Sequence, residues 1–149
     1  LWRAEGEDQG FCYRNSAFQR RGAVILRAAF RLTPGDPDAI AETMRDLSQR
    51  RRASQPLDLP SAGSTFKRPQ SGYAAALIEG AGLKGKGVGA AAVSEKHAGF
   101  VVNLGGATEA DVLATMELVR QTVLEQSGVT LEPEVRLWGM ETEEPSCNL

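Results

Sequence analysis

The chain has 149 residues, of which 42% are hydrophobic and 24% charged, with a formal net charge of -2. That length supports one domain with a sizeable core, and the near balance of charge offers no basic field to a nucleic acid. No apolar run reaches the length of a membrane-spanning helix, the single histidine rules out a multi-histidine metal centre, and the two distant cysteines make neither a disulfide framework nor a metal site.

The chain opens on Leu1 rather than methionine, so it is expected to be a piece of a longer protein. It shows no signal peptide or lipidation motif, and its cysteine usage suits a cytoplasmic location. Residues 1–22 are short and mixed. Tyr13 and Arg14 are adjacent, so an extended backbone would send them to opposite faces. Asn15 and Ser16 can start a turn or a short helix. On composition, Arg14 reads as a solvated cation.

Residues 23–32 alternate, with Val24, Leu26, Ala28, Phe30 and Leu32 on one face and Arg27 and Arg31 on the other, which predicts a half-buried strand. Asp36 caps a helix that starts at Pro37 and runs to about Arg52. Ile40, Met44 and Leu47 would form its apolar stripe. Arg50, Arg51 and Arg52 complement its C-terminal dipole.

The stretch Pro60-Ser61-Ala62-Gly63-Ser64-Thr65-Phe66-Lys67-Arg68-Pro69 combines two prolines, a glycine, three hydroxyls and two cations. That mix predicts a rigid loop rather than a helix or a central strand. Ser64, beside Lys67 and Arg68, suits an anionic ligand or proton delivery to one. An ordinary surface turn is the competing reading.

Residues 72–81 predict a helix with Tyr73, Leu77, Ile78 and Ala81 as its stripe, stopped by Gly82. The glycine-rich residues 82–89 lack the spacing of a phosphate loop and of a dinucleotide fingerprint, so these glycines are expected to permit a tight backbone crossing. Residues 88–93 and 100–104 read as short strands. Between them lies His97, which alone reads as a hydrogen-bonded structural residue.

Thr108 and Asp111 open a capping-box helix. It carries Val112, Met116, Val119 and Val123 inward and ends near Gln126, before Gly128. A last strand is expected over 129–138, with Glu134, Arg136 and Trp138 on one face and Val135 and Leu137 on the other. By itself Glu134 reads as a solvated carboxylate. Residues 140–149 are acidic and read as a flexible tail. These elements predict an α+β fold, a small sheet with packed helices, and no motif among them settles a reaction.

Several segments together resemble the UDP-N-acetylenolpyruvoylglucosamine reductase family of peptidoglycan precursor synthesis. They are Tyr13-Arg14-Asn15-Ser16-Ala17-Phe18, the stretch from Pro60 to Pro69, and Leu77-Ile78-Glu79 with Gly82-Leu83-Lys84-Gly85. The likeness continues through the stretch from Val88 to Phe100 and through Leu131-Glu132-Pro133-Glu134-Val135-Arg136. They occur in the family's order from about Phe11 to Gly139.

The resemblance implies that NADPH reduces FAD and that the reduced flavin passes hydride to UDP-N-acetylglucosamine enolpyruvate. It implies Ser64 as the proton donor to the enolate carbon, Arg14 as the cation holding the enolate, and Glu134 as the acid near the C-terminus. Tyr13, Lys67, Arg68 and His97 fall at substrate-side positions, Lys67 being the neighbour that could help Ser64. Some members carry asparagine where this chain has Arg68, so that contact is expected to differ.

Residues 1–22 would be the tail of a FAD-binding domain and 23–139 the substrate-binding domain, of the branch that lacks an extra tyrosine-bearing loop. The family's FAD-binding region is not in this sequence, so the isolated chain is expected to be colourless and inactive. A monomer without nucleic-acid or membrane partners is expected. Two rivals are a UDP-sugar-binding module without catalysis and a different flavin oxidase relative; the serine loop speaks against the second.

Overall fold

The structure, a computed structural model, describes residues 1–12, 15–70 and 72–137. It divides into two units, Leu1–Ile40 and Ala41–Leu149.

In the first unit a small aromatic cluster does the packing. The ring of Phe18 lies 5.1 Å from Trp2 and 6.5 Å from Phe11, and the Arg21 guanidinium sits 4.2 Å over the Trp2 ring. Cys12 and Asn15 exchange both backbone hydrogen bonds at 3.1 Å. The Asn15 Oδ1 accepts from Ser16 N–H, just before helix α1 (Ala17–Arg20).

The strand expected over 23–32 does not form. These residues have no regular structure, and the alternating stripe lies open, with Val24 83%, Leu26 76%, Phe30 82% and Leu32 82% exposed. Alternation supplies an apolar face, but a strand also needs a ladder partner and a layer to cover that face. Among the described residues of this unit neither exists.

Helix α2 (Pro37–Ser54) forms as expected. The Asp36 carboxylate accepts from Asp38 N–H at 3.0 Å, and proline at the first position gives up no helical hydrogen bond. Its stripe of Ile40, Met44 and Leu47 is nonetheless at least half exposed.

The second unit is built on a four-stranded antiparallel sheet in the order β1-β4-β3-β2. Its strands are β1 (Ser61–Ser64), β2 (Gly87–Val88), β3 (Ala91–Val93) and β4 (Phe100–Asn103). Helices α3 (Ala74–Gly80) and α4 (Glu109–Ser127) belong to it, as does α2 from Ala41 onward. The α+β expectation holds, with three local corrections.

First, part of the proline-bracketed stretch is a strand, because a short edge strand tolerates what a central one does not. Pro60 sits just outside β1, and Gly63 takes a left-handed φ of +87° at an irregularity. Second, the single strand expected over 88–93 is the β2–β3 hairpin, turned at Gly89 and Ala90. Third, residues 129–137 form no strand. Pro133, which has no N–H, limits the pairing to an isolated bridge with Phe66.

The core joins α3, α4 and one face of the sheet. Ile78, Val93, Val119, Val123 and Leu131 are all nearly inaccessible. Each such side chain contributes roughly 1.5–3 kcal/mol by burial. The exposed pairs Arg50–Asp46 and Arg120–Glu117 contribute about 0–1 kcal/mol each, so burial, not charge, holds this unit. Tyr73 departs from its expected place on the α3 stripe: it is the N-cap residue of that helix and 62% exposed.

Helix α4 is tied to the hairpin by polar contacts. The buried Thr115 hydroxyl accepts from Val88 N–H at 2.9 Å and donates to the Ala91 carbonyl at 3.3 Å. At its start Thr108 and Asp111 form the expected capping box. Hydrogen bonds from the Thr108 backbone and then from its hydroxyl hold the Asp111 carboxyl below its ordinary pKa, burial opposes them, and a weaker hydrogen bond from the Ala90 backbone adds to the lowering.

A depressed pKa means the folded state favours the charged form. Its contribution to stability is therefore full above the ordinary carboxylate range and is lost as pH falls through the depressed value. Asp111→Asn is expected to lower the melting temperature near pH 7, with the gap to the parent narrowing as pH falls below the ordinary carboxylate range. A gap that stays constant with pH, measured by thermal melts, would contradict this.

Candidate active site

Ser64 ends β1 and is exposed. Its setting comes from a fault in the ladder: Ser61 pairs with Val102 but Ser64 pairs with Phe100, so three steps on β1 meet two on β4. The extra residue is the mark of a β-bulge, which bends a strand and re-aims a side chain.

Beyond the bulge the backbone is held from both sides. Thr65 N–H donates to the Gly99 carbonyl at 2.9 Å, and the Thr65 carbonyl accepts from Glu134 N–H at 2.9 Å. Lys67 N–H donates to the Glu132 carbonyl at 2.8 Å. The segment carrying Glu134 therefore runs antiparallel beside the residues that follow Ser64. Glu134 lies across from Thr65, one residue along from Ser64, and is exposed.

The Gly99 carbonyl belongs to the turn that carries His97. The Ser94 hydroxyl, in a buried residue, accepts from the backbone N–H of Lys96 and His97 at 3.2 and 3.3 Å. The His97 Nδ1 accepts from Gly99 N–H at 3.1 Å, and its ring meets Phe100 edge-on at 5.1 Å between centroids. With Nδ1 accepting, Nε2 of the neutral ring carries the proton and is a donor.

The two cations after Ser64 are both engaged. The Lys67 ammonium pairs with Glu132, the two side chains 48% and 63% exposed. The Arg68 guanidinium lies 4.1 Å over the Tyr73 ring, and its Nε donates to the Gly72 carbonyl at 3.2 Å. Lys67 thus has a carboxylate partner of its own, which the reading of Lys67 as a helper for Ser64 left out. Tyr13 and Arg14 lie outside the described residues.

Ser64, Lys67, His97 and Glu134 are thus carried on three adjoining backbone segments, with Thr65 at their junction. Sequence reasoning passed over Thr65, Ser94 and Glu132. Only the opposite charges of Lys67 and Glu132 could have signalled one of them, and the isolated bridge that brings their segments together is invisible before the fold is known.

A cavity of about 350 Å³ lies beside this region, lined by Thr65, Val101, Val112, Met116 and Val135 among others. No ionisable side chain lines it, and its polar lining is Ser61, Thr65 and Asn103. Among the described residues no group of three or more His, Cys, Asp or Glu is placed to hold a metal, and no helix is long and apolar enough to cross a membrane.

The glycine-rich residues 82–89 do not make a cradle for the pyrophosphate of a dinucleotide. Gly82 faces open space, and the close neighbours of Gly85, Gly87 and Gly89 are protein atoms. A Cβ at Gly85 would meet the Glu95 carboxylate, one at Gly87 the Ala91 carbonyl, and one at Gly89 the Asp111 carboxylate. Two of those neighbours are acidic and would repel a phosphate.

Comparison with known proteins gives this arrangement a context. The family model for the C-terminal domain of UDP-N-acetylenolpyruvoylglucosamine reductase matches residues 55–138. A protein of that name from Clostridium novyi is 51% identical over 137 residues, which is 92% of this chain and 45% of that protein. UDP-N-acetylenolpyruvoylglucosamine reductase 2 of Symbiobacterium thermophilum is 52% identical over 130 residues, 87% of this chain and 42% of that protein.

The crystal structure of UDP-N-acetylenolpyruvylglucosamine reductase from Thermus caldophilus superposes with a TM-score of 0.70 at 37% identity, covering 89% of this chain and 46% of that one. The chain therefore spans somewhat less than half the length of the relatives it matches.

Proposed function

Since the chain belongs to the UDP-N-acetylenolpyruvoylglucosamine reductase family through its C-terminal domain, we propose that it supplies the substrate-side half of that reductase. The reaction is reduction of an enolpyruvyl ether on UDP-N-acetylglucosamine to the lactyl ether. Residues 23–139 would form the substrate-binding domain and 1–22 the end of a FAD-binding one.

Hydride supply by FAD and NADPH is assigned to the part of the relatives' length that this chain does not match. What this chain contributes is charge and proton handling. As hydride reaches the enolpyruvyl group, negative charge grows on its carboxylate side, and donors or cations there stabilise that state above the ground state. Arg14 is assigned to hold that charge, the Ser64 hydroxyl to give the proton to the neighbouring carbon, and Glu134 to assist at the carboxylate. Tyr13, Lys67, Arg68 and His97 are assigned to substrate contacts, His97 through its Nε2 proton.

The observation that carries the reading is the Glu134 N–H···O=C Thr65 hydrogen bond at 2.9 Å. It brings two residues 70 positions apart in sequence, Ser64 and Glu134, onto neighbouring backbone.

The test is turnover by the complete protein supplied with NADPH and UDP-N-acetylglucosamine enolpyruvate. One NADPH oxidised for each lactyl product formed is expected. Calorimetric binding of the UDP-sugar with no NADPH consumed would replace the reductase by a binding module. Cytoplasmic location and a monomeric state belong to the same proposal.

A further inference from the structure

We propose that Thr65 is a positioning residue for the reaction, acting through Ser64 and Glu134. The inference rests on the reductase reading above and adds to it a residue with no assigned chemistry of its own.

Thr65 is 2% exposed and makes three hydrogen bonds, two to the start of β4 and the residue before it and one to the segment of Glu134. Its N–H goes to Gly99, at the end of the His97 turn, and its carbonyl accepts from Glu134. Its hydroxyl accepts from the N–H of Val101, in the middle of β4, at 3.0 Å. The first two are main-chain contacts that another residue could also make. The third needs a hydroxyl.

That hydroxyl sits where the ladder is weakest. Between Ser61 and Ser64 the register with β4 slips by one, and Gly63 bends the strand at φ +87°. A slip of register reverses the side-chain direction of every residue beyond it. Ser64 is the residue between the bulge and Thr65, so its direction depends on where the slip ends. The Thr65 hydroxyl pins the strand just past the slip by taking a β4 N–H that lies 36 positions away in sequence. Val101 is itself buried, so removing this acceptor at constant shape leaves its N–H in search of another partner. The strand is then free to move the slip past Ser64, and Glu134 follows through the Thr65 carbonyl.

The test uses Thr65→Val, which keeps the shape and removes the acceptor, and Thr65→Ser, which keeps the acceptor, both in the complete protein. Thr65→Val is expected to lower kcat by roughly 10- to 100-fold. KM for the UDP-sugar and the rate of flavin reduction by NADPH should change little. Thr65→Ser is expected to recover most of kcat. A Val variant that turns over like the parent would overturn the inference. So would a Ser variant as slow as the Val one, because the hydroxyl then has no role.

If Thr65→Val does not fold, Thr65→Ala against Thr65→Ser decides on the same criteria. Ser64→Ala is measured alongside. Full turnover by that variant would remove the reductase assignment of Ser64 itself, whereas its collapse with an unaffected Thr65→Val would remove only the role of Thr65.

Discussion

Ser64→Ala in the complete protein is expected to cut turnover of the enolpyruvyl substrate by about 10³-fold, while flavin reduction by NADPH proceeds at the parent rate. General acid catalysis by a positioned side chain is worth roughly 10²–10⁴-fold, and 10³-fold is about 4 kcal/mol of barrier. The large figure is justified by the chemistry of the missing group. Hydride arrival leaves a carbon that must receive a proton, and a methyl group has none to give.

The two half-reactions separate because only the second needs that proton. Folding should be untouched, since Ser64 is exposed and its hydroxyl carries no packing. Stopped-flow measurement of flavin bleaching and re-oxidation separates the two steps. Equal losses in both would mean that Ser64 supports cofactor geometry, and no loss in either would end its assignment as donor.

Ser64 and Glu134 differ in how they can be found. Ser64 stands out in the sequence because prolines, a glycine and cations crowd around it. Glu134 does not: a carboxylate at an alternating position is ordinary, and only its likeness to a family segment singled it out. What makes it a neighbour of Ser64 is a backbone hydrogen bond across an isolated bridge. Long-range pairing of this kind leaves no local trace.

Thr65 is the sharper case. Its side chain replaces a regular ladder contact at a bulge, and the bulge follows from the register of β1 against β4, which neither strand specifies alone.

Helix α4 and its cap are legible because every determinant is local. Thr108 and Asp111 are three apart, the stripe recurs at helical spacing, and Gly128 follows the last turn. The stripe on residues 23–32 is equally regular, yet it stays open. Periodicity reports which face would be buried, and a strand forms only when something lies against that face and along its edge. The hairpin at Gly89–Ala90 was missed for the opposite reason. Its strands are two and three residues long, too short for alternation to show a break.

Gly87→Ala carries the largest expected cost in stability. Gly87 pairs with Ala92 across the β2–β3 hairpin. A Cβ there would lie 1.9 Å from the Ala91 carbonyl oxygen, 2.6 Å from the Ala92 Cα and 2.8 Å from the Ala91 carbonyl carbon. All three are backbone atoms, so no rotamer change can relieve the overlap. The strand must move, and it is not free to do so: Val88 N–H is bound to the Thr115 hydroxyl on α4, and the Lys86 carbonyl accepts from Val93 N–H.

Overpacking of this kind costs about 3 kcal/mol, which for a protein of this size lowers the melting temperature by roughly 6–12 °C. Gly80→Ala is the matched control. It lies at the end of α3 with open space around its Cβ position, where alanine is expected to be neutral or to raise the melting temperature slightly. Melting curves of the two variants side by side should diverge. If Gly87→Ala melts with the parent, the close approach of the two hairpin strands is not a feature of the protein in solution.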